Sequence, residues 1–369
     1  MNRRRFLAYS ASAVAMAGGF SLVNSLGQLQ TVVRENTSSF IAGLEQELAD
    51  IIRLAALAPS GHNAQPWTVK LLTSHHWIIG TDDTRWLPAV DPQNREMMIS
   101  IGAFLENLQM AANSKGYEVE IHIIAESAKS NEIASVKLQK KEAVSDFSVK
   151  QITARRTIRS NILSEDLLNE DVMLLTQGES EGCLYYARDS KEGKVLAEGT
   201  ILANQIQGHR EAAQKELADW IRWSNQDSRL YGNGLTPETM EIEGVSRWYV
   251  KNFYTRQSVL QEEFRQAAMQ KSKEQATAGS GWLLLTGKAA TVTELIQTGR
   301  KLQQIWLKVR ERNIALHPMT QVLEEAATAK ELPSTLGTSN DIQMVLRVGY
   351  VHHYSRPVSL RMPLQRIII

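Results

Sequence analysis

The chain has 369 residues, 43% of them hydrophobic and 22% charged, with a formal net charge of +1. That length suits two domains or one large one, and the composition is ordinary for a folded soluble protein. Near-neutral charge excludes bulk attraction to nucleic acid or to a membrane surface, so any basic site must be local. Cys183 is the single cysteine, which excludes an internal disulfide and a cysteine-based zinc site.

At the N-terminus, Asn2-Arg3-Arg4-Arg5-Phe6-Leu7 precedes a mildly apolar run from Ala8 to Val23. An arginine pair, a spacer, Phe-Leu and a weak hydrophobic region form the twin-arginine export pattern. The alternative is a chance basic start before a fraying helix. The run is short and rich in Ser, Gly and Ala for a membrane span. Residues 1–35 are therefore expected to be a signal and linker, cleaved or kept as an anchor. The partner would be the twin-arginine translocase. The destination would be the periplasm or the outer side of the inner membrane.

Leu44, Leu48, Ile51, Ile52, Ala55 and Ala58 predict an amphipathic helix over about 42–58, ended by Pro59. Trp67 to Leu72 and Trp77 to Gly80 read as paired strands. Met98, Ile101, Leu105, Leu108 and Ala112 mark a second helix ended by Gly116, with strands expected at Tyr117 to Ile124 and Ile133 to Leu138. Residues 140–153 read as a linker. Ser164 is an expected N-cap of a helix running to about Leu175. Cys183 to Ala187 reads as a strand and 190–227 as helical. Residues 228–280, aromatic and charged, read as a helical insertion. Strands at Gly281 to Thr286 and Ile342 to Val351 flank a helix carrying Leu295, Leu302, Ile305, Trp306 and Val309, and a short strand or turn at Ile314 to Pro318. The tail from Pro357 is extended. The run Ser100 to Leu108 matches Gln297 to Ile305, aligning Gly102 with Gly299, which hints at a duplicated unit.

Three segments offer chemistry. In an extended Arg155-Arg156-Thr157-Ile158-Arg159, residues 155, 157 and 159 share one face, placing two guanidiniums around a hydroxyl in a phosphate-binding pattern. The alternative is a solvated basic turn. In Ala58-Pro59-Ser60-Gly61-His62-Asn63-Ala64-Gln65-Pro66-Trp67, the amides of Asn63 and Gln65 suit an imide-like edge and Trp67 offers a flat surface. The alternative is a helix stop with a core tryptophan. Arg361 in the tail is an isolated cation, or a surface ion pair. The eight histidines show no metal-ligand spacing, and no G-x-S-x-G, Walker or G-x-G-x-x-G pattern occurs.

Together these segments resemble the nitroreductase-like flavoprotein family. The likeness rests on Arg155 to Arg159, the P-S-x-x-N-x-Q-P-W loop at Pro59 to Trp67, and Arg361-Met362-Pro363 after a hydrophobic strand. The loop precedes the arginine motif, an order similar to the tandem-domain, Acg-type branch. The resemblance implies an α+β fold of two nitroreductase-like halves, at 36–145 and 146–369 with the insertion at about 228–280. Each half would be a mainly antiparallel sheet flanked by helices, and the pair would form a pseudo-dimer within one chain. No further homo-oligomer would be required. Only one set of motifs is present, so one flavin site per chain is implied.

By the same resemblance the cofactor is FMN. Arg155, Thr157, Arg159 and Arg361 would hold its phosphate and ribityl end, while Pro59, Ser60, Asn63 and Gln65 would line its ring system. Gly61 and Ser359 depart from the family, which often has a hydroxyl and a lysine there. Chemistry would proceed at flavin N5 without a catalytic side chain. NAD(P)H or another donor would supply electrons to a nitroaromatic, quinone or similar acceptor. The competing expectations are an FMN store under a lid and an exported domain that has lost its cofactor.

Overall fold

The computed structural model describes residues 44–141, 149–178 and 182–369. The export pattern at residues 1–35 lies outside them.

Helix α1 (Gln46–Ala55) buries Leu48, Ile51, Ile52 and Ala55 on one face. It leads through the Pro59 loop into β1 (Trp67–Thr73) and β2 (His76–Thr81). Helix α2 (Arg95–Ser114) follows, then β3 (Tyr117–Ile123) and β4 (Glu132–Lys140). These four strands form an antiparallel sheet in the order β1-β2-β4-β3.

The second part opens with α3 (Val149–Ala154), a short helix within the expected linker. An extended run carries the arginine motif to α4 (Asn169–Thr176) and β5 (Cys183–Ala187). Helices α5 (Lys191–His209), α6 (Glu211–Trp220), α7 (Asn225–Tyr231), α8 (Gly244–Phe253) and α9 (Glu262–Ala276) follow, with short turns between. Then come β6 (Gly281–Gly287), α10 (Val292–Val309), β7 (Ile314–Pro318) and β8 (Asp341–Tyr350). The second sheet is antiparallel, in the order β5-β6-β8-β7. It repeats the first sheet's succession strand for strand. The fold is α+β, with two four-stranded antiparallel sheets flanked by helices.

Every residue of β6 is buried, because α2 and α10 pack on one side of the sheet and α5 on the other. A strand covered on both faces reads as a continuous apolar run, which is why Gly281 to Thr286 was legible as Gly-Trp-Leu-Leu-Leu-Thr.

The two parts meet at α2 and α10. A Cβ on Gly102 would stand 2.9 Å from the Gly299 Cα and would overlap the Ile296 carbonyl. A Cβ on Gly299 would stand 2.9 Å from the Gly102 Cα and overlap the Ile99 carbonyl. Gln303 donates to Asn107 Oδ1 at 2.7 Å, and Gln304 donates to Glu106 Oε1 at 2.8 Å. Since Glu106 aligns with Gln303 and Asn107 with Gln304, each contact is repeated by its counterpart.

One expectation needs correction. Ser164 does not cap a helix: its carbonyl accepts from Arg188 at 2.8 Å, and α4 starts five residues later, after Leu168. Pairing of Leu163 N with the Tyr350 carbonyl at 2.8 Å keeps this stretch extended along β8. The stretch expected to be helical over 190–227 is helical but divided, with a break at Arg210, whose backbone is extended and whose guanidinium reaches Ala89 O and Glu325.

The tail returns to the first sheet. Val69 N donates to Ile367 O at 2.8 Å and Ile369 N donates to Val69 O at 3.0 Å, extending the sheet past β1. The C-terminal residues thus pack with the part of the fold farthest from them in sequence.

Candidate functional site

A cavity of about 350 Å³ lies where the two parts face each other. The first part contributes Pro59, Ser60, Gly61 and His62 from the loop, with Glu96 and Ile99 from α2. The second contributes Thr157 and Arg159 from the extended run, Trp306 from α10 and His317 from β7. Helices α5, α6 and α9 close over it with Gln207, Leu217, Arg265 and Met269. The volume lies at the lower end of the range for small-molecule sites, and apolar walls with convergent polar groups are their usual make-up.

Of the sequence-derived residues, the cavity takes in Pro59, Ser60, Thr157 and Arg159. Arg159 donates through one terminal nitrogen to Thr239 O at 2.8 Å. Burial lowers its pKa, and Glu241 opposes that effect. Arg156 points elsewhere, toward Glu241 at 3.3 Å and the Arg356 carbonyl at 2.6 Å.

The other four build the wall behind the loop. Arg155 donates to Leu57 O at 3.1 Å and lies 4.9 Å from the Trp306 ring; burial holds its pKa down to about 10. Arg361 reaches Leu57 O at 2.9 Å, Ala58 O at 3.1 Å and Asn63 Oδ1 at 3.0 Å. A cation at a helix C-terminus satisfies carbonyls left without intrahelical donors and opposes the helix dipole. Asn63 donates to Gly234 O and Leu360 O, both at 3.1 Å. Gln65, fully buried, donates to Gly232 O at 3.0 Å and accepts from Met362 N at 3.0 Å. Arg361, Asn63 and Gln65 thus join the loop to the tail and to the turn before Leu235, while Arg155 ties the residues before the loop to the extended run.

This stitching explains the loop's backbone. His62, Asn63 and Gln65 have φ of 46°, 53° and 54°. Left-handed backbone at non-glycine residues persists only where the surroundings enforce it, and such strain clusters at binding sites. Trp67 is fully buried against Phe104, with ring centroids 5.2 Å apart, so it belongs to the core; the cavity's indole is Trp306.

Several polar residues of the wall were not singled out from sequence. Burial holds the His62 pKa down to about 4, against the raising effect of Glu96 and with a lowering one from Arg159. His317 is also pushed well below the usual histidine range, by burial and then by Arg347 and Arg159. Arg347 donates to its Nδ1 at 3.2 Å, so that nitrogen carries no proton. Glu324 is pushed well above the usual carboxylate range by burial and by Glu96. His62 sat in plain view within the loop; Glu96, Glu324 and Arg265 lie on helices outside the three segments that offered chemistry.

Buried His62 Nδ1, Arg265 Nε and Gln321 Oε1, all on residues of this wall, have no protein partner. Buried polar groups are rarely left unpaired. Donors, an acceptor, two guanidiniums and an aromatic wall fit a ligand with a flat polar-edged heterocycle and an anionic end. Among the described residues, no group of three or more His, Cys, Asp or Glu is placed to hold a metal. No helix among them is long and apolar enough to cross a membrane.

No family model matches the chain. It is 26% identical over 340 residues to the probable NAD(P)H nitroreductase PigM of Serratia sp., covering 88% of this chain and 93% of that protein. A Mycobacterium tuberculosis protein provisionally named as an NAD(P)H nitroreductase is 23% identical over 309 residues, covering 81% and 84%. The chain is similar to proteins named as nitroreductases. An uncharacterized protein from M. tuberculosis is 28% identical over 328 residues, covering 82% and 86%. Among solved structures, a nitroreductase-like family protein from Bacillus cereus aligns with a TM-score of 0.33 at 11% identity, over 61% of this chain and 96% of that one. A score of that size does not bear on the fold.

Proposed function

We propose that this chain is a nitroreductase-like oxidoreductase that binds FMN. The observation that carries the reading is the cavity itself, where the Pro59 loop from one part meets Thr157 and Arg159 from the other. The names of the full-length relatives support the same reading. When bound, FMN supplies two-electron transfer between a donor such as NAD(P)H and an acceptor such as a nitroaromatic or quinone. Arg159 and Thr157 would hold its anionic end, and Pro59 and Ser60 would border its ring system. Arg155, Arg361, Asn63 and Gln65 act one step back by fixing the loop. The reciprocal contacts of α2 and α10 support a tandem origin, with the two parts standing as the subunits of a pseudo-dimer. The twin-arginine pattern extends the proposal to an exported protein, which would then draw on a donor other than cytoplasmic NAD(P)H.

A second reading has its own observation. Leu217, Leu235, Arg265 and Met269 roof the cavity, which favours an FMN store with little turnover. The chain lacking residues 1–35 tests both readings. An absence of flavin bands, with no uptake of added FMN, overturns both. With flavin bound, anaerobic mixing with NADPH separates them: rapid bleaching supports the enzyme, and an unreactive flavin supports the store.

A further inference from the structure

Two carboxyl groups line the cavity from opposite parts of the fold: Glu96 on the first turn of α2, and Glu324 in the short helix Gln321–Glu324 after β7. Their surroundings differ. The Arg95 guanidinium lies 2.8 Å from Glu96 Oε1, so that carboxyl has a cation as its partner. The hydrogen-bond partners of Glu324 are neutral: Gln207 Nε2 donates to Oε2 at 2.5 Å, and the Thr320 hydroxyl lies 3.0 Å from Oε1, while the Arg95 charge acts on it more weakly, against burial and Glu96. The Thr320 oxygen can equally accept from a carboxylic O–H.

We propose that Glu324 is the proton donor to the acceptor reduced in this cavity. The inference rests on the oxidoreductase reading above. Reduction of a quinone to a hydroquinone takes one hydride, which breaks a carbonyl π bond, and one proton, so that both carbonyl oxygens end as hydroxyls. Reduction of a nitro group to a nitroso group takes one hydride and one proton and releases water. The donor named above supplies the hydride; the cavity must supply the proton. The other titrating groups are poor sources, since burial leaves His62 and His317 neutral. Glu96 is paired with Arg95, and the Arg159 and Arg265 guanidiniums are engaged with the Thr239 carbonyl and with Glu211. Asp91, raised to about 6 by burial and then by Glu96, is turned toward the Met97 amide at 2.9 Å. Glu325, next in sequence, is held by Arg210 at 2.5 Å. Glu324 alone joins a retained proton to a place on the wall. Carboxyl pairs whose environments drive their proton affinities apart are the usual mark of an acid and its companion.

The test has two parts. Without any ligand, difference infrared spectroscopy at neutral pH should show the carbonyl stretch of a buried protonated carboxyl, and Glu324→Gln should remove it. Persistence of the band in E324Q overturns the assignment. In the flavin-loaded protein, E324Q should retain flavin and its rate of reduction by NADPH. Reduction of a quinone should slow by about 10²-fold, as loss of a general acid does, and lose its decline toward high pH. Glu96→Gln should move that decline to lower pH by removing the neighbouring charge. An unchanged rate and pH profile in E324Q overturns the proposal while leaving the flavin reading intact. Failure to bind flavin overturns the flavin reading and leaves the infrared result to stand alone.

Discussion

Gly102→Ala should destabilise the protein although alanine is the better helix former. In an exposed helix that exchange gains roughly 0.5–1 kcal/mol. Here the added methyl meets the backbone of the facing helix, at 2.9 Å from the Gly299 Cα and within the Ile296 carbonyl. Backbone cannot rotate away as a side chain does, so α2 and α10 must separate along their contact. Overpacking of this kind costs about 1–3 kcal/mol. Parting of the helices also stretches the reciprocal Gln303–Asn107 and Gln304–Glu106 bonds, each worth about 1 kcal/mol net. The net expectation is a loss of about 2–3 kcal/mol, read as a lower urea midpoint. Gly199→Ala serves as the control, because its Cβ would meet only the Val322 side chain, at 3.2 Å. A small shift of either sign is expected there. Equal midpoints for G102A and G199A would refute the close crossing of the two helices.

Further predictions follow from the site and the tail. Arg361→Ala removes a charged donor from the Leu57 and Ala58 carbonyls and should lower stability by about 2–4 kcal/mol; a thermal melt unchanged from the parent would contradict its bracing role. Arg159→Ala should weaken FMN binding at least tenfold in a fluorescence titration while leaving that melt near the parent's. His62 titrates near 4 in the fold against 6.5 unfolded, so the unfolded chain holds more protons between those values. Its contribution therefore makes stability fall as pH drops from about 6.5 toward 4, by no more than about 3.5 kcal/mol before allowance for partial exposure. His62→Asn keeps a residue that tolerates left-handed backbone and should flatten that limb of a stability-against-pH curve; an identical limb in both proteins would count against a buried neutral imidazole. Deleting Ile367 to Ile369 leaves the Val69 amide and carbonyl without these tail partners. Hydrogen exchange at Val69 should then quicken sharply.

The parts of the fold legible in the sequence are those ruled by local pattern. The period of α1, α2 and α10, the apolar run of β6 and the strand at Cys183 to Ala187 all appear where hydrophobic spacing placed them. Ser164 misled because a good capping residue was judged without knowing that Leu163 pairs with Tyr350, nearly the length of the second part away. The site divides the same way. Thr157 and Arg159 reach the cavity through strand alternation alone. Arg155 breaks that alternation because its helix-adjacent backbone turns it toward Leu57 O. Asn63, Gln65 and Arg361 carry the donors expected of ligand-binding residues, yet their partners are carbonyls at Gly232, Gly234, Leu360 and Leu57. Glu96 and Glu324 become neighbours only through the packing of the two parts, which no local pattern encodes.

The fastening of the Pro59 loop by Leu360, Arg361 and Met362 bears on the order of assembly. Asn63 and Leu360 lie 297 positions apart, and closure of so long a loop is entropically slow. Until they arrive, the Leu57 and Ala58 carbonyls lack the Arg361 guanidinium and Gln65 lacks the Met362 amide. The cavity wall therefore matures at the end of folding, after both sheets and the helix crossing can already exist. Capture of a ligand would report that Leu360, Arg361 and Met362 had docked, making occupancy of the site a signal of completed folding.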